Sequence, residues 1–318
     1  MKNVCIVGFG AIGPVHARAL ENVENAAFYA VCEPNPERAA KAGVKIYDDF
    51  DKMLQDENIH SVHICTPHHL HFEMIKKALA AGKEVVCEKP VTMTESEFSQ
   101  LLALENSEKV CVVLQNRLNP CVEKLRELSG SLGRIITVKG LLTWLRSAEY
   151  YKKDEWRGKW ATEGGGVLIN QAVHTLDLMG YVCGDIKSVK AQMSNFSLDE
   201  IEVEDTFSAR LLFDGFPGIF FATNAYGSSS APQLEVVFEK GLARYIDSKL
   251  YINDELVAED SKPTIGKTVW GTGHALLLKN YYDCGEFFSP HDIKNTMRTM
   301  FSLYESAKNG GAEIDIKE

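Results

Sequence analysis

Residues Asn3 to Glu33 leave the chain little choice of fold. Val4-Cys5-Ile6-Val7 is a short apolar run of strand type that stops at Gly8-Phe9-Gly10-Ala11-Ile12-Gly13, the pattern G-x-G-x-x-G placed directly after a strand. In such a turn the first glycine permits a tight bend, Gly10 removes a Cβ that would block a pyrophosphate, and Gly13 lets the next helix lie close on the sheet. The start of that helix adds unpaired N–H groups and the positive end of the helix dipole, and both favour a phosphate. Phe28 to Cys32 reads as a second strand ending in Glu33, twenty residues beyond Gly13. A carboxylate there accepts hydrogen bonds from an adenosine ribose diol and repels a 2′-phosphate, so the pattern predicts NAD in preference to NADP. A glycine turn alone also occurs in α/β proteins that bind no nucleotide. The strand before it, the helix after it and the acid at this distance are what point to a dinucleotide.

The same alternation continues. Pro36 to Ala42, Asp48 to Leu54, His71 to Ala81 and Thr94 to Glu105 have helical patterns, the last opened by a capping box of Thr94 and Glu97. Ser61 to Cys65, Glu84 to Cys87 and Val110 to Leu114 read as buried strands. Strands and helices in turn, joined by short connections, predict a doubly wound parallel sheet, with any ligand at the carboxyl ends of its strands. Gly8, Glu33, Thr66, Glu88 and Gln115 lie at those ends.

Beyond Pro120 the character changes. A helix over Cys121 to Leu128 and another near Gln171 to Met179 are followed by closely spaced strand candidates from Ile186 to Ile252, and helices over Leu276 to Phe287 and Asp292 to Lys308 close the chain. This predicts an α+β domain with an antiparallel sheet, hence a Rossmann domain over 1–118 and a second domain over 119–318. A wide sheet with helices on one face needs a cover for the other, and a second copy of the chain is the expected one.

With 318 residues the chain is long enough for two cores. A net charge of −10 without clustered Lys and Arg argues against nucleic acid or an anionic membrane as partner. No apolar run approaches the roughly 20 residues of a membrane helix, and no targeting segment is visible at the N-terminus. None of the eight cysteines forms a C-x-x-C pair, and Cys5, Cys32, Cys65, Cys87 and Cys111 sit in strand-like runs, so a reducing cytoplasmic compartment is expected.

Two clusters carry candidate chemistry. Glu88-Lys89-Pro90 falls at a strand end, where a lysine could hold a substrate hydroxyl and stabilise a developing alkoxide; read alone, the tripeptide is equally a surface turn with a solvated lysine. In Gly164-Gly165-Gly166-Val167-Leu168-Ile169-Asn170-Gln171-Ala172-Val173-His174, continuing to Asp177, helical spacing aligns Asn170, His174 and Asp177 on one face. His174 can exchange a proton near neutral pH and Asn170 can hydrogen-bond the same hydroxyl, although a lone helical histidine is often only structural.

Taken with the opening βαβ unit, these clusters resemble the glucose-fructose oxidoreductase, inositol dehydrogenase and MocA family of NAD(P)-dependent oxidoreductases. The resemblance spans essentially the whole chain through GFGAIG, the run CTPHHLHFEMIKKALAAGKEVVCEKP from Cys65 to Pro90, QNRLNP from Gln115 to Pro120, and GGGVLINQAVHTLDL from Gly164 to Leu178. It implies a Rossmann domain followed by a large open antiparallel sheet, dimers or tetramers packed through that sheet, and hydride transfer at a carbon of a sugar, cyclitol or related polyol. Lys89 and His174 match the family's catalytic lysine and histidine. Gly8, Phe9, Gly10, Ala11, Ile12, Gly13, Glu33, Thr66, Pro67, His68, His71, Glu88, Lys89 and Asn116 are implied to line the cofactor. Two departures stand out: Asn170 replaces an acid found in many members and cannot exchange a proton, and His68 stands where asparagine is common.

The aromatic and basic stretch from Trp144 to Trp160 suggests Trp156 and Arg157 as substrate contacts, with packing as the competing reading. His60, His63, His68, His69 and His71 are dense enough to raise a metal, but their spacing matches no ligand pattern, and no metal is expected. The expected activity is oxidation or reduction of a carbohydrate-like alcohol carbon with NAD. Transient oxidation that assists elimination or hydrolysis, and NAD binding for regulation without turnover, are the alternatives.

Overall fold

The computed structural model describes residues 1–262 and 272–317. It contains two compact units, Met1–Gln115 with Pro263–Ile293, and Asn116–Lys262 with Lys294–Glu318. The contiguous division at residue 118 read from the sequence differs in one respect: a segment near the C-terminus returns to the first unit.

The first unit is built on β1 (Lys2–Val7), β2 (Ala26–Cys32), β3 (Lys45–Tyr47), β4 (Ser61–Ile64), β5 (Glu84–Cys87) and β6 (Val110–Val112). Their order is β3-β2-β1-β4-β5-β6 and every pairing is parallel. Val4 to Val7, Ser61 to Ile64 and Val110 to Val112 are all buried, because helices cover both faces of such a sheet and leave no polar side to alternate with. The helices between the strands are α1 (Gly13–Leu20), α2 (Pro36–Ala39), α3 (Phe50–Leu54), α4 (His71–Ala80) and α5 (Glu95–Ala103). The Thr94–Glu97 capping box forms as the sequence predicts. Strand order reverses between β1 and β4, so the turns after those two strands flank the crevice where ligands enter sheets of this kind.

The second unit opens with α6 (Pro120–Ser129), β7 (Ile135–Thr143), α7 (Ala148–Lys152) and α8 (Val173–Cys183). Strands β8 (Ser188–Ser194), β9 (Thr206–Leu212), β10 (Pro217–Thr223), β11 (Gln233–Phe238), β12 (Gly241–Ile246), β13 (Lys249–Ile252) and β14 (Glu255–Glu259) follow. Helix α9 (Gly273–Lys279) belongs to the returning segment of the first unit, and α10 (Lys294–Lys308) with β15 (Ile314–Asp315) completes the second. The nine strands lie in the order β14-β13-β12-β11-β7-β10-β9-β8-β15, antiparallel except for the parallel pair β7 and β10. One face, with Val138, Leu211, Phe220 and Val236 buried, packs against α6, α8 and α10. The opposite face presents Leu212, Ile219, Val237 and Leu256 to solvent. Among the described residues no helix is long and apolar enough to cross a membrane.

A buried ion pair holds α8 in place. Arg117 Nε and Nη2 donate to the two oxygens of Asp177 at 2.9 and 2.6 Å, and Thr296 Oγ1 of α10 donates to Asp177 at 2.7 Å. The Arg117 guanidinium also lies 4.6 Å from the Tyr181 ring. Removing one partner strands a desolvated charge, so Asp177→Ala is expected to lower the unfolding free energy by about 3–5 kcal/mol, read from urea denaturation. Replacing both partners by Arg117→Met and Asp177→Leu should cost much less.

Candidate active site

The glycine turn after β1 separates steric need from ligand need. Gly8 has φ +86°, and a Cβ there would stand 2.7 Å from the Cys65 carbonyl oxygen, so the turn is pressed against the end of β4. A Cβ on Gly13 would meet the Gly8 carbonyl at 2.5 Å. Gly10 is different: an added Cβ finds nothing nearer than Arg38 Nη1 at 3.9 Å. The fold itself does not require glycine at position 10, and the clearance it leaves suits a pyrophosphate. Helix α1 begins beside it with no side-chain cap at Ile12 and no acid in its first turn. Ala11 is exposed and Ile12 partly so. Glu33 is buried and accepts the Phe9 and Asn35 amides at 2.7 and 3.0 Å, and its carboxylate oxygens retain lone pairs for a ribose hydroxyl. The Phe9 ring stacks on Phe28 at 5.9 Å. These residues together fit NAD.

The turns after β4 and β5 are tied to each other. His71 Nδ1 faces the Pro90 carbonyl at 2.7 Å and its Nε2 faces the Thr66 carbonyl at 2.8 Å, so one imidazole sits between both turns. Burial lowers its pKa against the pull of the two carbonyls. His68 is buried with its ring 5.8 Å from that of His71, while Thr66, Pro67 and Lys89 are partly exposed. The Lys89 amide donates to Glu88 Oε2 at 3.3 Å, and the Lys89–Pro90 peptide is cis.

Glu88 ends a buried polar chain that the sequence did not reveal. Ser61 Oγ lies 2.6 Å from Tyr282 OH, which lies 2.8 Å from His63 Nε2; His63 Nδ1 is 3.0 Å from His16 Nδ1, and His16 Nε2 is 3.0 Å from Glu88 Oε1. His274 Nε2 approaches the same oxygen at 3.5 Å. Burial alone would raise the Glu88 carboxyl, but the hydrogen bonds from His16 and His274 outweigh it and hold the group well below the usual carboxylate range. An ionised Glu88 only accepts, so His16 Nε2 donates to it. Burial drives the pKa of His63 well below and that of Tyr282 well above their ordinary values, which keeps both neutral. One ligand atom each from His16, Glu88 and His274 lies within 4.8 Å of the others, and these are the atoms already engaged in hydrogen bonds. The histidines close in sequence instead disperse: His60 accepts the Asn3 amide at 3.1 Å, His63 faces the core and His71 sits between the turns.

In the second unit, the glycine run leads into a π-helical turn, Leu168–Ala172, that passes directly into α8. Between residues 165 and 179 every position is buried except Asn170 and His174. The pair predicted to share a face therefore does so. Asp177 does not join them: it is 1% exposed and is bound inside by Arg117 and Thr296. Glu204 anchors the turn, accepting the Gly166 and Leu168 amides at 2.9 and 3.1 Å and the Tyr304 hydroxyl at 2.8 Å. Burial pushes its carboxyl up to about 7 although these donors pull it down. Glu163, 0% exposed, accepts from the Asn170 carboxamide and from the Gly158 amide.

Arg157 is built into its own loop: Nε donates to Asp154 at 3.2 Å, and the guanidinium lies 4.4 Å from the Trp156 ring and 4.6 Å from Tyr150. Tyr151 packs with Leu198, Ile201 and Val203. Asn116 begins the second unit, and its buried Oδ1 has no hydrogen-bond partner among the described residues, as suits an acceptor meant for a ligand. Of the residues found here but not in the sequence, His16 left a trace as a polar side chain on the buried stripe of α1. Glu163, Glu204 and His274 left none.

Two family matches cover most of the chain: an oxidoreductase family with an NAD-binding Rossmann fold over residues 2–116, and the GFO/IDH/MocA C-terminal domain over residues 122–244. Levoglucosan dehydrogenase of Pseudarthrobacter phenanthrenivorans is 30% identical over 61% of this chain and 54% of its own length. Myo-inositol 2-dehydrogenase of Thermotoga maritima is 24% identical over 57% of this chain and 54% of its own. The chain thus spans about half the length of these curated relatives. Among solved structures, the WlbA dehydrogenase from Bordetella pertussis in complex with NADH and UDP-GlcNAcA is 27% identical, with TM-score 0.88, covering 100% of this chain and 98% of that one.

The folded state holds the Glu204 proton up to about pH 7, whereas the unfolded chain releases it near 4.5, so this group's contribution to stability is full below 4.5 and lost as pH rises through 7. Glu204→Gln, which does not titrate, should flatten the pH dependence of unfolding free energy over this range by on the order of 2–3 kcal/mol, read from denaturation at a series of pH values.

Proposed function

The chain belongs to the GFO/IDH/MocA oxidoreductase family, and we propose that it is an NAD-dependent dehydrogenase or reductase acting on a CH–OH carbon of a sugar, cyclitol or sugar derivative. NAD, when bound, supplies the hydride acceptor or donor. The clearance over Gly10 and the Glu33 carboxylate support its pyrophosphate and ribose sites, and the strand-end turns with Thr66, Pro67, His68, His71 and Glu88 shape the remainder, Asn116 adding an acceptor. In this reading residues 1–118 hold the cofactor and 119–318 the substrate.

The observation that carries the assignment is that Asn170 and His174 alone are partly exposed along an otherwise buried stretch from 165 to 179. In the oxidative direction His174 takes the hydroxyl proton, Lys89 stabilises the oxygen by its charge, and Asn170 orients the substrate. Trp156 and Arg157 are assigned to the substrate's ring and hydroxyls, the arginine already held rigid by Asp154. Relatives named for levoglucosan and myo-inositol, and a neighbour bound to UDP-GlcNAcA, support a carbohydrate-like substrate. The open sheet face with Ile219 54% and Leu256 52% exposed supports a homodimer or homotetramer formed through that sheet. Eight free cysteines support a reducing, cytoplasmic location.

Lys89→Ala and His174→Ala should each lower kcat by roughly 100-fold or more, with NAD affinity retained in His174→Ala, in a polyol and sugar panel followed at the NADH absorbance. Wild-type turnover left intact in either variant would remove that residue from the mechanism. NAD should bind at least ~10-fold more tightly than NADP by calorimetry, and Glu33→Ser should narrow the gap.

A further inference from the structure

Asn170 is a carboxamide, and its two ends are told apart by their partners. Glu163 is wholly buried, with Oε2 accepting the Gly158 amide and Oε1 accepting the Asn170 Nδ2 group. When ionised, Glu163 offers acceptor atoms alone and leaves no place for the Asn170 carbonyl there.

We propose that Glu163 is a positioning residue for the active site: it locks the Asn170 carboxamide with its NH2 turned inward, so that Asn170 works on substrate as an acceptor through Oδ1. The inference rests on the reading of Asn170 as a group that orients the substrate, and deepens it. An amide whose N–H binds a carboxylate is polarised toward a more negative carbonyl oxygen, so Oδ1 becomes a stronger acceptor for a substrate hydroxyl next to the reacting one, whose own proton passes to His174. It selects a donor, an O–H adjacent to the reacting carbon.

The arrangement also accounts for asparagine at this position. An aspartate at 170 would set two carboxylates within hydrogen-bond distance in a desolvated place, where both cannot ionise. The single negative charge of the pair sits on Glu163, away from solvent, and Asn170 transmits it while staying neutral. The Gly158 amide fixes Glu163 from the other side. Gly158 in turn accepts the Glu202 amide at 2.7 Å, so the carboxylate is held by backbone on a loop distinct from the helix it orients.

The experiment is a charge-relocation cycle: Glu163→Gln, Asn170→Asp and the double variant, each with kcat and KM over pH 5 to 9 on the best substrate of the panel. Glu163→Gln lets the Asn170 amide turn over and should lower kcat roughly 10- to 100-fold at unchanged NAD affinity. Asn170→Asp should add a new ionisation to the pH profile, because the acid pair keeps one proton. The double variant restores one charge and one amide, and should recover at least about tenfold over Asn170→Asp while losing that ionisation. A Glu163→Gln enzyme within twofold of wild type, or a double variant no better than Asn170→Asp, overturns the proposal.

A readout independent of turnover separates this from the proposed function. With 15N-asparagine label, the wild-type Asn170 NH2 should give a strongly downfield, slowly exchanging proton that Asn170→Asp removes and Glu163→Gln shifts upfield. Absence of that resonance in wild type overturns the orientation even if the enzyme turns over. Its presence in a protein that oxidises nothing in the panel keeps the orientation and fails the oxidoreductase reading instead. Should Glu163→Gln not fold, the wild-type resonance and the double variant decide.

Discussion

A carboxylate cut off from water must be matched by donors or take up a proton, and Glu88 is matched by imidazoles from two distant parts of the chain. His16 comes from the helix that follows the glycine turn, His274 from the returning segment, and Glu88 itself from the end of β5. One charge therefore ties the helix after the glycine turn to the strand end that carries Lys89. Hydrogen bonds continue from it through His63 and Tyr282 to Ser61. Loss of any ring in that chain leaves a buried polar atom behind, and the penalty falls on the turn where the chemistry is assigned.

The second unit solves a similar problem with three acids around one helix. Asp177 is paired with Arg117, Glu204 takes the amides at the helix entry, and Glu163 holds the carboxamide of Asn170. Asp177 meets a guanidinium, Glu204 backbone N–H groups, and Glu163 both a backbone N–H and a side-chain amide. The helix is fixed at its start and along its side, and the Asn170 carboxamide is held by Glu163. Positioned polar groups are worth more to a reaction than mobile ones, since they need no reorganisation as charge develops.

How much of this the sequence discloses follows from the range of the forces involved. The first βαβ unit was legible because its signals are local: apolar run, glycine spacing, capping box and acid all lie within a few turns of each other. The buried strands were legible because a two-sided sheet leaves no polar alternation. Strand β3 was missed since Lys45, Ile46 and Tyr47 lie at the edge and are largely exposed, and β14 and β15 are likewise short, largely exposed edge strands. Helical spacing aligns Asp177 with Asn170 and His174, but whether that side of α8 faces in or out is decided by Arg117 and Thr296, which are remote in sequence. Lys89 and His174 could be singled out by motif, whereas Glu163, His16 and His274 owe their meaning to contacts between segments far apart in sequence. A density of histidines between 60 and 71 was visible, and it pointed to residues that the fold sends in different directions.

The return of Gly273 to Cys284 to the first unit has a bearing on how the protein is born. Tyr282 supplies the phenol beneath His63 and Ser61, and His274 one of the two rings on Glu88. A nascent chain halted after β6 has all six strands of its parallel sheet and still exposes raw polar ends in the middle of it. The unit with the parallel sheet, though first to leave the ribosome, is completed only after eight of the nine strands of the second sheet have emerged. A nonsense codon anywhere before residue 282 leaves both units unfinished.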